Sequence, residues 1–556
     1  MNVKTILLAS VAALALGACG GKDSGNNTSA PATKSSQKAA SVTAKSPIDT
    51  AFKFSGGKEL DFDGLISTLP EGERPTYATA AFDSKIGATV ITDLQYTDGS
   101  NGETITIDRV ELYGLDADAI DRVKAGEASI DASMETIFEK VRLFGVRPDG
   151  AGDDANVSIG AVEIDKLRLR SGSLNDSHEP QNPAIFFNNF DLAGLYFKDF
   201  NVEVTEEGGP QLSFRMPDAR IVGLGGGKMT AMVMNDLAYE VENSEETIAA
   251  LTGLLGAQGA LIMNSPMRNF IAPGTQKVSM KSFVWRGFDL SGLLEYGLKD
   301  EEPPVTAKNL LRLGSAEATD FETYVNGKLA YKGEKSSFSS EESTWLIPSK
   351  VRAETTGDVY NLEAYVPEGE EELMALVKKN GLDNIKSSSS LAWDWDAKKG
   401  GAAFKANYDT SGFADLAMSF DLDGLAIEKI KAAMDAGDTE AVEKLAVFNN
   451  FNVTLDDEKL LDTLFDVAGL QMGQSGSDLR QSAPAMLRLS GAQFASLNPK
   501  FSGYVDALAA FVAEGGTLSI NASPDAAVPL AAIAAASDSA PQTLPDVLDL
   551  EITHKK

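Results

Sequence analysis

Thiols and imidazoles are nearly missing from this sequence. Its 556 residues hold one cysteine, Cys19, and two histidines, His178 and His554. A lone cysteine cannot close a disulfide within the chain, and a zinc site built from His and Cys would run short of ligands. Positive charge is scarce too: Lys and Arg total 49 against 81 Asp and Glu, a formal charge of −32. Such a field repels nucleic acid and anionic headgroups, so nucleic acid is not expected as a partner. Nucleophile motifs are also wanting. There is no Gly-x-Ser-x-Gly elbow, and Ser55-Gly56-Gly57-Lys58 lacks the Ser-Asp-Asn and Lys-Thr-Gly elements that accompany Ser-x-x-Lys in serine enzymes.

What is present begins with a leader. Met1 to Thr5 carries one positive charge, and Ile6 to Leu16 is an apolar run of eleven residues. That length suits a signal peptide and falls short of the about 20 residues of a spanning helix. Leu16-Gly17-Ala18-Cys19 follows and resembles the lipobox of bacterial lipoproteins. The resemblance implies cleavage after residue 18, a thioether-linked diacylglycerol on Cys19 and an acyl chain, such as palmitate, on the new amine. It also implies, through Gly20 in place of Asp, the outer membrane. Two acyl chains anchor a protein stably. The competing reading is an ordinary secretory signal with a chance cysteine.

Residues 19–47 then read as a tether. Gly20 to Pro47 has no aromatic residue and is rich in Ser, Thr, Asn, Ala and Gly, so it cannot bury enough to fold. A coil of its 28 residues spans roughly 30 Å. Lys22, Lys34, Lys38 and Lys45 oppose one acid, Asp23. The tether is read either as a basic segment lying on anionic lipid or as a solvated linker.

The remainder, with 43% apolar residues over the whole chain, is long enough for two domains. Strands are expected at 89–96 and 104–113, and at 390–396 and 402–408, as hairpins around Gly-containing loops. Helices are expected over 367–379, 457–473, 478–489 and 499–513, with strands at 451–455 and 517–521. Ile130, Met134, Ile137, Phe138, Val141 and Phe144 form an apolar stripe that predicts a helix stopped by Gly145. Ile105, Ile107, Val110 and Leu112, and Val157, Ile159, Val162, Ile164, Leu167 and Leu169, repeat every five residues. In a strand that spacing predicts an apolar face that switches sides, through bulges or burial on both faces.

A short motif recurs at Asp61-Phe62-Asp63-Gly64-Leu65, Asp191-Leu192-Ala193-Gly194-Leu195, Asp289-Leu290-Ser291-Gly292-Leu293 and Asp421-Leu422-Asp423-Gly424-Leu425. It predicts a repeated strand-to-turn unit. These units resemble those of AsmA-like envelope proteins, which are β-rich and connected with lipid handling; no functional residue is carried over from the resemblance.

Other candidates reduce to turns. Asp61/Asp63 and Asp421/Asp423 fail as EF-hand loops, because Gly72 and Ala432 stand where the closing Glu belongs. Gly223 to Thr230 is rich in glycine, but Val222 and Met229 occupy positions where a P-loop needs Gly and a hydroxyl. His178, beside Asp176 and Glu179, is weighed as a base and read as a solvated loop residue; His554 is read as a mobile terminal residue.

The expected fold is α+β: twisted, mainly antiparallel sheets with helices packed on them, in an N-terminal domain 48–302 and a C-terminal domain 303–556 divided at Pro303-Pro304. The expected function is that of an envelope lipoprotein with a non-enzymatic structural or interaction role. It is held in the outer membrane through Cys19, with the body facing the periplasm or the cell surface and contacting envelope proteins or a lipid. The alternative is a periplasmic carrier of lipid or another apolar ligand, and a hydrolase comes third. No catalytic, cofactor or metal residue is assigned, and no cofactor is expected.

Overall fold

A computed structural model of the chain describes residues 46–67, 74–97, 104–125, 131–149, 155–173, 183–205, 211–243, 274–436 and 444–556. The leader, Cys19, His178 and the tether up to residue 45 lie outside the described residues. The class is α+β, and the strand pairs described below are all antiparallel. The chain forms two compact units: described residues 46–243, 277–303 and 310–316 make the first, and 274–276, 304–309 and 317–556 the second.

In the first unit a meander runs through β1 (Thr79–Asp83), β2 (Ala88–Thr97), β3 (Thr104–Tyr113), β4 (Met134–Asp149), β5 (Ala155–Arg170), β6 (Phe190–Thr205), β7 (Gln211–Gly225) and β8 (Lys228–Glu242). Each strand pairs with the next. β9 (Thr275–Asp289, all but its first two residues) follows. Helices α1 (Phe62–Ser67) and α2 (Ala117–Lys124) cover one sheet face, contributing Phe62, Ala119, Ile120 and Val123 to the core. Asp116 caps α2 by accepting from the Ala119 amide at 3.0 Å.

The five-residue spacing has a structural cause that differs from the expectation. Ile105, Ile107, Val110 and Leu112 all enter one core, and so do Ile159, Val162, Ile164, Leu167 and Leu169. The apolar face never switches. Instead the ladder is interrupted along a row that crosses the sheet. The register skips Asp93 opposite Asp108, then Gly145, Gly160, Asp199 and Pro217 on successive strands. Every second strand on this row holds a left-handed residue: Asp93 (φ 51°), Gly145 (φ 65°), Asp199 (φ 51°) and Asp236 (φ 54°). A second row skips Glu139 opposite Lys166, then Ala193, Gly223 and Thr230. It carries its left-handed residues at Lys166 and Gly223. Each crease resets the pleat, so apolar residues three apart flank it on the same side.

The creases also overturn the helix expected over 130–144. Residues from Met134 onward are β4, and Ile130 lies outside the described residues. Phe138, Val141, Leu143 and Val146 enter the core at spacings of three, two and three, a sequence pattern that mimics helical periodicity. Gly145 marks a crease rather than a helix end.

The second unit contains β10 (Gly314–Val325, all but its first three residues), β11 (Lys328–Thr344), β12 (Ile347–Tyr360), β13 (Ile385–Asp396), β14 (Gly401–Ser411), β15 (Ala414–Asp423), β16 (Val447–Asp457), β17 (Gly516–Ala522), β18 (Val528–Pro529) and β19 (Leu550–Lys555). Strands β11 to β17 pair in order, and β19 closes on β17. The hairpin expected around 397–401 is β13–β14, with Asp396 opposite Gly401. The three expected helices are Leu460–Met472, Gly476–Ala495 and Lys500–Glu514. The helix expected from Pro367 begins only at Glu371 and ends at Lys379. Gly369, at φ 90°, keeps the preceding residues out of it.

Candidate functional site

Between the two creases of the first unit, on the face opposite the core, lies a row of charged and polar side chains. Glu111, Arg142, Glu163, Tyr196 and Arg220 stand directly opposite one another on β3 to β7. Strand alternation places them there: their neighbours Leu112, Val141, Val162, Leu195 and Phe197 point into the core. Glu163 has 0% exposure. One carboxylate oxygen accepts from Lys140 Nζ at 2.5 Å and the other from Arg142 Nε at 2.7 Å. Glu111 accepts from Tyr113 at 2.6 Å and pairs with Arg109 at 2.6 Å. Arg220 pairs with Asp218 at 2.7 Å.

A segment just after the tether covers this row. A short turn at Pro47–Asp49 and the residue after it offer carbonyls to Arg142: Thr50 O at 2.9 Å and Pro47 O at 3.3 Å. Asp49 pairs with Lys198 on β6. Phe52 lies edge-on to Tyr113 at 4.9 Å and under Lys140, whose ammonium is 4.6 Å from the ring centre. Phe54 then bonds through its amide to Ile86 O at 2.9 Å, beside the β1–β2 turn. The chain that leads out of the tether is thereby strapped across the sheet from β6 to β2. Sequence reading missed this strap. Its available signal was the placement of Lys140, Arg142 and Glu163 at alternate positions inside otherwise apolar strands.

Tyr196 gives the row a pH signature. Burial first, then the charges of Asp165 and Glu163, push its phenol up to about 12. A raised pKa in the folded state means stability that is full below the unfolded value near 10 and lost as pH rises toward 12. Alkaline titration of unfolding should therefore show a loss of stability across that window, reduced in Tyr196→Phe. An unchanged slope in the variant would remove Tyr196 as its source.

In the second unit, Glu342, Asp394, Asp396, Asp421, Asp423, Lys350 and Trp395 are among the residues lining an open groove of about 500 Å³. Its four aspartates already have partners. Asp421 accepts from Asn450 and Asp423 from Asn449, both at 2.7 Å, and Asp394 pairs with Arg352 at 2.7 Å. Backbone amides, Lys399 first and then Lys398, hold the Asp396 carboxyl below its usual range. Among the described residues, no three His, Cys, Asp or Glu side chains converge as a metal site.

The same unit exposes a helix. We label the helices that follow in order α3 (Ser291–Leu298, first unit), α4 (Glu371–Lys379), α5 (Ile427–Asp435), α6 (Leu460–Met472), α7 (Gly476–Ala495) and α8 (Lys500–Glu514). α8 packs on β17 and β19, while α7 packs on α6 and α8. Small residues allow the close approach: a Cβ at Gly491 would lie 2.3 Å from Val505 Cγ2, and one at Gly476 would meet the Asp466 backbone at 2.7 Å. The rest of α7 faces out, with Met486 53% and Leu489 80% exposed, and Leu497 just beyond it 60%.

The remaining sequence candidates fall into place as structure. Asp61 accepts from the Gly64 amide at 2.8 Å at the start of α1, and Asp63 bonds to Tyr77. Gly226 and Gly227, both at positive φ, form the two-residue turn of the β7–β8 hairpin. Ser55 and Lys58 are exposed on a loop. The four Asp-to-Leu motifs are not one repeated unit. Those at 289 and 421 end strands, that at 61 opens a helix, and that at 191 lies inside β6, where Asp191 pairs with Arg168. His554 is not a mobile terminal residue: it sits on β19 opposite Leu518, with Nε2 2.7 Å from Gly515 O.

The described chain thus defines an α+β protein of long antiparallel meanders, creased and strapped in one unit and helix-covered in the other. A family model described only as "Uncharacterized protein" matches residues 407–555, the part that carries α6, α7 and α8. No curated protein matches the chain.

Proposed function

We propose that this is a lipid-anchored envelope protein whose body acts without catalysis, as a structural or interaction module. The observation that carries this reading is the outward face of α7, where Met486, Leu489 and Leu497 stand in solvent. Clustered exposed apolar side chains mark interaction surfaces. The strap supports the anchored part of the reading. It fixes the root of the tether to the sheet through Arg142 and Lys198. Anchoring at the outer membrane, with the body toward the periplasm or the surface, follows from the lipobox and Gly20. The division into domains 48–302 and 303–556 belongs to the same proposal; the compact units change over after Pro303, while residues 274–276 group with the second unit and 310–316 with the first. So does the likeness to AsmA-like proteins, supported by the long antiparallel strands.

Native and denaturing mass spectrometry of the Cys19→Ala chain separates this reading from a lipid carrier. Equal masses are expected. A native mass greater by one phospholipid would replace the interaction reading with the carrier one.

A further inference from the structure

The strap over the first unit is fastened as a bound peptide is, not as a strand is. Among the described residues, 46–54 shares a single backbone–backbone hydrogen bond with the meander, from the Phe54 amide to Ile86 O. Side chains of the sheet supply the other holds. Arg142 donates through Nη2 to the carbonyls of Pro47 and Thr50, Lys198 pairs with Asp49, and the Phe52 ring meets Tyr113 and Lys140. Removing the strap would therefore leave the ladder from β2 to β7 unbroken. The row beneath is also braced from below. Glu163 holds Lys140 Nζ and Arg142 Nε, so both cations keep their places whether or not the strap covers them. Arg142 Nη2 would then lack its two acceptors, and a buried donor without an acceptor is costly. A bare row would take up another carbonyl-bearing segment.

From this we infer that the row of Lys140, Arg142 and Lys198 is a docking site for an extended peptide segment, which the strap occupies in cis. The contacts specify what such a segment must carry. Backbone carbonyls satisfy Arg142, and every peptide has them. Selection comes from two side chains: a carboxylate for Lys198, and an aromatic ring three residues later for Tyr113 and Lys140. The strap holds both in Asp49-Thr50-Ala51-Phe52. Its carboxylate is held weakly enough to exchange. The pair of Asp49 with Lys198 is open to water, each side 38% exposed. The site belongs to the first unit and rests on neither the exposed face of α7 nor the lipid anchor.

The probe is a peptide of residues 46–54 with a fluorescent dye on its N-terminus, followed by anisotropy. It is titrated with the full-length Cys19→Ala chain and with the same chain carrying Asp49→Ala and Phe52→Ala. The loosened chain should bind the peptide about tenfold or more tightly than the chain with its own strap in place, because the cis strap lowers the fraction of open sites. A peptide carrying Asp49→Ala and Phe52→Ala should bind neither chain. Asp49→Ala alone leaves the buried row untouched and should change affinity in the same direction, which guards against misfolding of the double variant. Equal affinity for the chains would overturn the inference. So would failure to bind a loosened chain that limited proteolysis cuts near residue 50. A loosened chain that resists cleavage as well as its parent would also overturn it, since Asp49 and Phe52 would then not be what holds the strap.

Discussion

Glu163→Gln is expected to destabilise the first unit by about 3–5 kcal/mol, the usual consequence of removing one partner from a buried ion pair. Glu163 is wholly buried and satisfies Lys140 and Arg142, themselves nearly buried. The amide keeps the shape but leaves Arg142 facing a neutral group and Lys140 with the weaker pair to the part-exposed Asp165, 3.3 Å away. Water cannot compensate while Phe52 and the carbonyls of Pro47 and Thr50 cover them. Chemical denaturation should show a lower midpoint. Limited proteolysis should show earlier cleavage near residues 46–54, because the strap is held partly by Arg142. The double variant Lys140→Met with Glu163→Gln should recover part of the loss, since it removes one of the stranded charges. A change in unfolding free energy within about 0.5 kcal/mol, the range of an ordinary surface substitution, would show that the row is not a structural lock.

Gly145→Val should cost about 2–5 kcal/mol, the sum of a left-handed backbone penalty and overpacking. Gly145 stands at φ 65°, and a Cβ there would lie 2.0 Å from Asp108 Oδ2. Asp108 cannot yield without losing Arg147, whose hydrogen bond holds the Asp108 carboxyl below its usual range. The substitution thus strains the crease on β4 and breaks a pair that bridges β3 and β4. Gly226→Asn, at the open tip of the β7–β8 hairpin with nothing within 4 Å, should be nearly neutral. Equal thermal stability in the two variants would refute the crease as a constrained element.

How much of this was legible in the sequence depended on which force set the local pattern. The β13–β14 hairpin could be read because one face alternates and a glycine closes the turn. The helices α6 to α8 could be read because Gly473 and Pro499 separate three stretches of helix-forming residues. β4 was misread because its creases replace the two-residue alternation with threes, and short runs of threes and twos imitate a helix. The creases themselves are tertiary. Asp93, Asp199 and Asp236 are ordinary aspartates in sequence, and only the alignment of skipped positions across strands shows their common role. The strap was hidden for the same reason, since Phe52 and Arg142 meet across ninety residues of chain. The exposed face of α7 was missed because its apolar residues also fit a buried helix, and only packing shows which side is left open.

The most direct measurement is the intact mass of the mature protein extracted from its native membranes in detergent. The expected chain begins at Cys19 and carries the added mass of a diacylglyceryl group and one amide-linked acyl chain. A chain that still begins at Met1, or one cleaved elsewhere without lipid, would contradict it.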